Sequence, residues 1–245
     1  DTGFVRRVFN CFVESALEMA LKLSRPLGRS SDIAELTALT VDEKQGDLFL
    51  KRLLAVGYDH AVRICCKKKM DLIFNSRSIS GLISAYIKQQ GHQLVIFGMQ
   101  GGEGDNGQTG FLAAEQLGWP CIREVTRVDR TESSGFLKVT SRIDGALLVQ
   151  VVKLPMVLTM GHSLDSPYLR IPTLKQKLNA GKKKITLLSE HDLDLDDTLV
   201  FRKDKNLVGL MRPDKNKPCI FPEGKTVRDK TRHLYDQYLK GRLSS

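Results

Sequence analysis

Residues 94–117 have the sequence LVIFGMQGGEGDNGQTGFLAAEQL, in which an apolar run leads through a glycine-rich loop into a second apolar segment. Leu94 to Phe97 is compact enough for a buried strand, and Phe111 to Leu117 is predicted to be a helix. Strand, glycine loop and helix in this order are typical of parallel α/β sheets, which bind ligands beyond the carboxyl ends of their strands. We therefore expect the binding site at this loop.

The segments before the loop also alternate between helix and strand. Helical spacing of apolar residues predicts helices at 12–23, 48–56 and 78–89, and β-prone apolar runs predict strands at 34–41 and 60–65. This alternation predicts an α/β fold built from parallel βαβ units, with helices on both faces of a mostly parallel sheet.

The pattern changes after Trp119 and Pro120. Four short strand-like runs follow, separated by turn signals, and they predict a small antiparallel section: 124–128, 136–142, 146–152 and 156–160. From Ser163 onward the chain is turn-rich and basic until residues 227–239 recover helical spacing. We therefore predict two domains, a nucleotide-binding domain at 1–162 and an arm at 163–245 that ends in a helix.

Composition excludes several classes of protein. Hydrophobic residues make up 41% and charged residues 27% of the 245 positions, which does not fit wholesale disorder, collagen or a coiled coil. No apolar run approaches the roughly 18 residues of a membrane-spanning helix. The 38 basic and 28 acidic residues give a net charge of +10, which indicates an anionic partner such as a phosphate-bearing cofactor, an acidic protein, nucleic acid or anionic lipid.

The cysteines and histidines give no sign of a metal site. The five cysteines are an odd number without paired CxxC spacing, which favours a reducing compartment, and the five histidines have no ligand spacing.

The glycine-rich loop has the chemistry of an anion site. Its glycines permit a close backbone approach, the free amides at the following helix N-terminus can receive a phosphate, and Gln108 and Thr109 add side-chain donors. The spacing matches neither a dinucleotide GxGxxG nor a P-loop. A plain turn capped by Asp105 or Asn106 would explain the loop equally well if it stood alone. No convincing nucleophile, base or metal cluster accompanies it, so the chain suits a carrier better than a hydrolase.

A family resemblance extends over nearly the whole chain. GMQG at 98–101, DNGQTG at 105–110 and AEQLGWP at 114–120 resemble the signature region of electron transfer flavoprotein β subunits. Other segments keep the family's order, namely NCFVE at 10–14, LAVGYD at 54–59, KLPMVL at 153–158, SLDSPY at 163–168 and GKKKI at 181–185.

The resemblance implies a Rossmann-like fold of the adenine nucleotide alpha hydrolase-like type and a role as electron carrier, without catalytic residues of its own. It implies an α subunit that holds most of an FAD, and either AMP or a second FAD in the β subunit. It also implies a flavin dehydrogenase, such as an acyl-CoA dehydrogenase, as electron donor. The compartment would be the bacterial cytoplasm or, alternatively, the mitochondrial matrix.

Residue by residue, the resemblance assigns two kinds of contact. Leu164 would anchor the partner dehydrogenase, so that the arm begins with a recognition loop. The expected nucleotide-binding residues are Asn10, Val41, Gly101, Asp105, Asn106, Gly107, Gln108 and Thr109.

Three departures from the family pattern stand out. The family normally begins with a central strand and short loop, whereas this sequence begins past them, so we expect the 245 residues to be incomplete at that end. Cys11 stands where the family has proline, and Arg142 where many relatives carry an acidic residue. These two changes bear on the identity of the partner more than on the fold.

Two other functions compete with electron transfer. A nucleotide-binding regulatory module of the universal-stress type would share the α/β layout and the phosphate loop but would act as a homodimer. A nucleic-acid binder would explain the charge of +10, but aromatic residues are only 7% of the chain and form no stacking ribbon, so this hypothesis ranks last.

Overall fold

The computed structural model describes residues 7–24, 35–66, 75–101, 105–165, 167–195, 208–209, 211 and 219–243. The chain forms two compact units, residues 1–207 and residues 208–245. No helix in the described part of either unit is long and apolar enough to cross a membrane.

The first unit alternates helices with strands. Its described helices are α1 (Cys11–Ser24), α2 (Asp47–Val56), α3 (Ser76–Gln90), α4 (Thr109–Leu117) and α5 (Leu174–Lys182). Its described strands are β1 (Thr37–Val41), β2 (His60–Cys65), β3 (Leu94–Gly98), β4 (Cys121–Arg130), β5 (Phe136–Ile143), β6 (Ala146–Lys153), β7 (Met156–Met160) and β8 (Thr186–Ser189).

The described strands form two sheets. One has the order β1-β2-β8 and is entirely parallel. The other has the order β3-β7-β4-β5-β6, in which β3, β7 and β4 are parallel and β5 and β6 are added as antiparallel strands. The predicted α/β architecture with mostly parallel pairing and a small antiparallel section is therefore confirmed. The structure differs from the prediction in having two sheets where one was expected. No described strand lies between β1 and β3, so each of these is an edge strand of its own sheet.

Helix α1 packs against β3, β4 and β7 and also shares an apolar cluster with α2 and β1. Leu21, on one side of the helix, belongs to the apolar cluster that contains α2 and β1. Met19 and Leu23, on another side, belong to the cluster formed by β4, β5 and β7. Because apolar residues on two sides of α1 are buried, this helix is the shared core element of the two sheets.

Two elements of the first unit, α5 and β8, are not predicted by the sequence pattern. Strand β8 pairs with β2, and Lys51 of α2 donates hydrogen bonds to the carbonyls of Gly181 (3.0 Å) and Lys183 at the end of α5. A cation placed at these carbonyls also complements the helix dipole. Residues 174–189 therefore contribute to the first unit, although the sequence analysis assigned them to the arm.

The second unit contains the predicted terminal helix. Helix α6 (Val227–Leu234) begins at a capping box in which Thr226 and Asp229 exchange side-chain and backbone hydrogen bonds. A π-helical turn, Tyr235–Leu239, and a last α-helical turn, Lys240–Leu243, follow directly. The predicted helix at 227–239 is confirmed and continues to Leu243.

A half-buried histidine between α3 and β3 makes folding stability sensitive to pH. Burial, together with the nearby His60, lowers the pKa of His92 below its usual 6.5. Among the described residues none forms a hydrogen bond with its buried Nε2. In the unfolded chain His92 has its usual pKa of about 6.5, and in the folded protein its pKa is lower. Between these two pKa values the unfolded chain binds more protons than the folded protein. The free energy of unfolding therefore falls as the pH drops from about 6.5 towards the pKa of folded His92.

We therefore expect His92→Phe to flatten the pH dependence of unfolding. Urea denaturation of both proteins between pH 7 and pH 5 measures this, and the wild type should lose more stability over that interval than the variant. Parallel curves would contradict the assignment of this proton uptake to His92.

Candidate functional site

The N-terminus of α1 lies against the carboxyl end of β3. Asn10 is the cap of the helix, since its Oδ1 accepts a hydrogen bond from the Phe12 amide (2.9 Å) and its carbonyl accepts one from the Glu14 amide (2.9 Å). Gly98 ends β3 at this point, and a Cβ placed on it would lie 2.8 Å from the Val13 backbone nitrogen. Glycine is therefore what permits the close approach of strand and helix.

The described part of the glycine-rich loop folds back on the segment after β3. Asp105 and Gly107 have φ angles of 37° and 59°, and the Asn106 Oδ1 accepts a hydrogen bond from the Gln108 amide (3.0 Å). A Cβ on Gly107 would lie 3.5 Å from Cγ of Gln100. Two left-handed residues and an Asx turn thus give the loop a defined shape.

Helix α4 continues from this loop and packs closely on β7. Gln108 occupies the cap position, and its carbonyl accepts a hydrogen bond from the Leu112 amide (3.0 Å). Thr109 is the first helical residue. A Cβ on buried Gly110 would lie 2.6 Å from Cγ2 of Thr159 in β7, so the first turn is held against the sheet. The amides of this turn have no intrahelical acceptors and can receive an anion.

Val41, at the carboxyl end of β1, lies on the same side of the fold. The next residue, Asp42, pairs with Arg7 at 3.3 Å, and Arg7 lies three positions before Asn10. This ion pair joins the end of β1 to the segment that enters α1.

The structure therefore places every expected nucleotide-binding residue at the carboxyl ends of β1 and β3 or at the N-termini of α1 and α4. At Asn10, part of the side chain is already used within the protein. The Asn10 Oδ1 is engaged by the Phe12 amide, so its side-chain nitrogen is the group left for a ligand.

A small cavity that the sequence pattern does not predict lies beside this site. Its volume is about 130 Å³, and it is lined by Phe12, Met99, Glu124, Thr126, Arg142, Gly161 and His162. Glu124 has a φ of 48° and lies where the register between β4 and β7 shifts. A non-glycine residue in this conformation marks local strain, which often accompanies a binding site. The glycine directly after β7 was the one signal in the sequence.

The segment that contains Leu164 is held on α1 and β4. Ser15 of α1 donates a hydrogen bond to the Pro167 carbonyl (3.2 Å) and accepts one from the Ser163 amide (3.4 Å). The Leu164 amide donates to the Thr126 carbonyl (3.2 Å), while 53% of the Leu164 residue is exposed. An exposed leucine on a fixed backbone is a suitable contact for another protein.

Two partly buried thiols lie near the sheets, those of Cys66 and Cys121. Burial raises the pKa of the Cys66 and Cys121 thiols to about 11 each, so both stay protonated near neutral pH. Within the described ranges no cluster of three histidine, cysteine or carboxylate side chains could hold a metal ion. The first turn of α4 offers backbone amides and the Thr109 hydroxyl as donors for an anion.

Residues 5–193 match the sequence profile of the Electron transfer flavoprotein domain. The chain belongs to this family. The chain is 30% identical to the mitochondrial electron transfer flavoprotein subunit beta of Oryza sativa subsp. japonica over 220 residues, which are 90% of this chain and 82% of the relative.

Relatives from bacteria and animals show a similar level of identity. The subunit beta of Bacillus subtilis (strain 168) is 29% identical over 208 residues, 85% of this chain and 77% of the relative. The Homo sapiens subunit beta is 28% identical over 197 residues, 80% of this chain and 74% of the relative. The predicted resemblance to β subunits of electron transfer flavoproteins is therefore confirmed.

Proposed function

We propose that this electron transfer flavoprotein chain is the β subunit of a heterodimer whose α subunit holds most of an FAD. Its own site binds an adenine nucleotide, which is AMP or a second FAD. The complex carries electrons from a flavin dehydrogenase, such as an acyl-CoA dehydrogenase, to an acceptor. The relatives named above do not favour the homodimeric universal-stress alternative.

The donor set at the glycine-rich loop carries this proposal. The first amides of α4 and the hydroxyl of Thr109 are donors for a phosphate, and the positive φ of Gly107 shapes the loop that leads into this turn. Asp105, an acceptor, suits a ribose hydroxyl better than a phosphate. These residues bind and orient the nucleotide, and a flavin supplies the electron-carrying chemistry when bound.

The test of the site is the double variant Thr109→Val and Gln108→Ala. We expect nucleotide affinity to fall about tenfold or more, because a hydroxyl and an amide donor are lost while the α4 backbone remains. Native mass spectrometry of the purified complex measures the bound nucleotide and also distinguishes AMP from a second FAD. The exposed Gln90→Ala, at the end of α3, is the control. An unchanged nucleotide content in the double variant would contradict the site.

Leu164 is the proposed anchor for the dehydrogenase. Its support is the combination of an exposed side chain with a backbone held by Ser15 and Thr126. We propose the mitochondrial matrix or the bacterial cytoplasm as the compartment, since one relative is named mitochondrial and another comes from a bacterium.

A further inference from the structure

Strand β6 presents an exposed apolar surface at the edge of the five-stranded sheet. It is the last strand in the order β3-β7-β4-β5-β6, so its outer backbone groups face no described strand. Leu147, Val149 and Val151 alternate along it and point to one face, and they are 54%, 53% and 64% exposed. A long apolar edge strand left in water promotes association with another chain.

Positive charge borders this apolar row. The register of β5 and β6 pairs Lys138 with Val151 and Arg142 with Leu147, so both cations lie on the same face as the apolar row. Both are exposed. Arg127 on the neighbouring strand β4 is also exposed, and it contacts Asp129 (2.8 Å) and Asp165 (3.6 Å). Asp129 also lies opposite Lys138 in the register of β4 and β5. The surface is thus an apolar stripe bordered by three cations and by two carboxylates that contact Arg127, so the border has a small excess of positive charge.

We propose that this face, Leu147, Val149 and Val151 with Lys138 and Arg142, is the surface on which a different protein subunit docks. The subunit presents an apolar strand or face bordered by carboxylates. This inference rests on the proposed function, in which that subunit is the flavin-holding α subunit. The basic border aligns it, and the apolar stripe supplies the buried centre of the interface.

A second copy of this chain is the weaker occupant. Two copies each carry a net charge of +10, and pairing of β6 with β6 would place two basic borders at one interface. Like charges brought together in this way oppose association, whereas an acidic partner is attracted.

The test uses the complex with the α subunit from the same source. Val149→Glu with Val151→Glu places two carboxylates in the apolar stripe and next to the acidic border of the partner. We expect at least a tenfold loss of affinity for the α subunit, measured by titration of the purified subunits. Gln150→Glu, on the same strand but the opposite face, is the matched control and should bind as the wild type does. Lys138→Glu should weaken binding most at low salt.

Hydrogen exchange of the wild type gives a second measurement that does not depend on how the variants fold. Amides of residues 146–153 should exchange more slowly in the complex than in the isolated chain. Equal exchange in both states would overturn the inference, as would protection already present in the isolated monomer, which would show that another part of this chain covers β6.

Two further outcomes identify which idea has failed. If the wild type binds no α subunit, the proposed function fails and the docking surface fails with it. If the wild type and the double glutamate variant bind the α subunit equally well, only the docking surface is wrong. A homodimer of the isolated chain that the double glutamate variant abolishes would assign the face to a second copy.

Discussion

Replacing Glu18 by alanine is expected to destabilise the protein by about 3 kcal/mol, because it removes the acceptor for a guanidinium and a backbone amide at once. Glu18 is only 6% exposed, and its carboxylate accepts hydrogen bonds from the Arg170 side chain (Nε at 3.0 Å) and from the Arg170 amide (3.1 Å). The Arg170 side chain is 32% exposed and can recover part of its hydration, so the loss falls at the lower end of the range for buried pairs.

Urea unfolding followed by circular dichroism measures this loss. Glu115→Ala, which removes an exposed carboxylate from α4, is the control and should change the free energy of unfolding by less than about 0.5 kcal/mol. Glu18→Gln keeps an acceptor for the Arg170 amide, so its loss in the free energy of unfolding should lie between those of Glu18→Ala and Glu115→Ala. A loss below about 1 kcal/mol in the alanine variant would show that the ion pair contributes little.

The same substitution should affect the segment that carries Leu164. Ser15 and Glu18 of α1 hold the two ends of residues 163–170. Without the Glu18 carboxylate, the segment loses its contact with α1 at Arg170, while the contacts of Ser163 and Leu164 with Ser15 and Thr126 are unchanged. Amide exchange in this segment should therefore rise more than exchange in β7.

Gly98→Ala is expected to cost about 2 kcal/mol of stability and to weaken nucleotide binding. The added methyl would lie 2.8 Å from the Val13 backbone nitrogen and 3.0 Å from the Phe12 carbonyl carbon. Backbone atoms cannot rotate away, so α1 and β3 must separate, and overpacking of this kind typically costs about 1–3 kcal/mol. The displaced helix N-terminus is part of the proposed nucleotide site.

The matched control is Gly181→Ala, in α5, where an added Cβ meets no atom within 4 Å among the described residues. Alanine favours a helix over glycine, so this variant should be neutral or more stable by up to about 1 kcal/mol. Thermal unfolding and nucleotide content are measured for both proteins. If Gly98→Ala unfolds at the same temperature as the wild type, the close approach of α1 to β3 is not as tight as described.

Local signals in the sequence predicted most of the fold. The ends of β2, β3 and β7 were predicted within one residue, because each strand is a short and mainly apolar run. Helix α3 begins two residues earlier than its apolar spacing indicates. Asn75 caps it there, because the Asn75 side chain accepts a hydrogen bond from the Ser78 amide. Side-chain caps of this kind extend a helix past its buried face.

Elements that depend on distant contacts were not predicted. Only Ala180 of α5 is buried, so the helix has no apolar period, although the capping box of Thr173 and Gln176 was a usable signal. Strand β8 is short and half exposed, and its place follows from pairing with β2, more than a hundred residues earlier. A pairing between such distant segments leaves no periodic trace in either one.

The candidate site also has a part that could be predicted from local sequence and a part that could not. The loop donors at Gln108 and Thr109 were predictable because a glycine-rich strand-to-helix turn is a local pattern. The cavity beside Glu124 was not, since it depends on a register shift between β4 and β7. Its lining brings together residues from five separate parts of the chain.

The membership of α1 in two apolar clusters has a thermodynamic consequence. Leu21 belongs to the apolar cluster of α2 and β1, and Met19 belongs to the cluster of β4, β5 and β7. The first turn of α1 belongs to the proposed nucleotide site. Neither cluster can lose this helix without exposing part of the other, so we expect the two sheets to unfold in one transition. A ligand held at the first turn of α1 would act on that transition as a whole, and its binding free energy would stabilise both halves of the unit together.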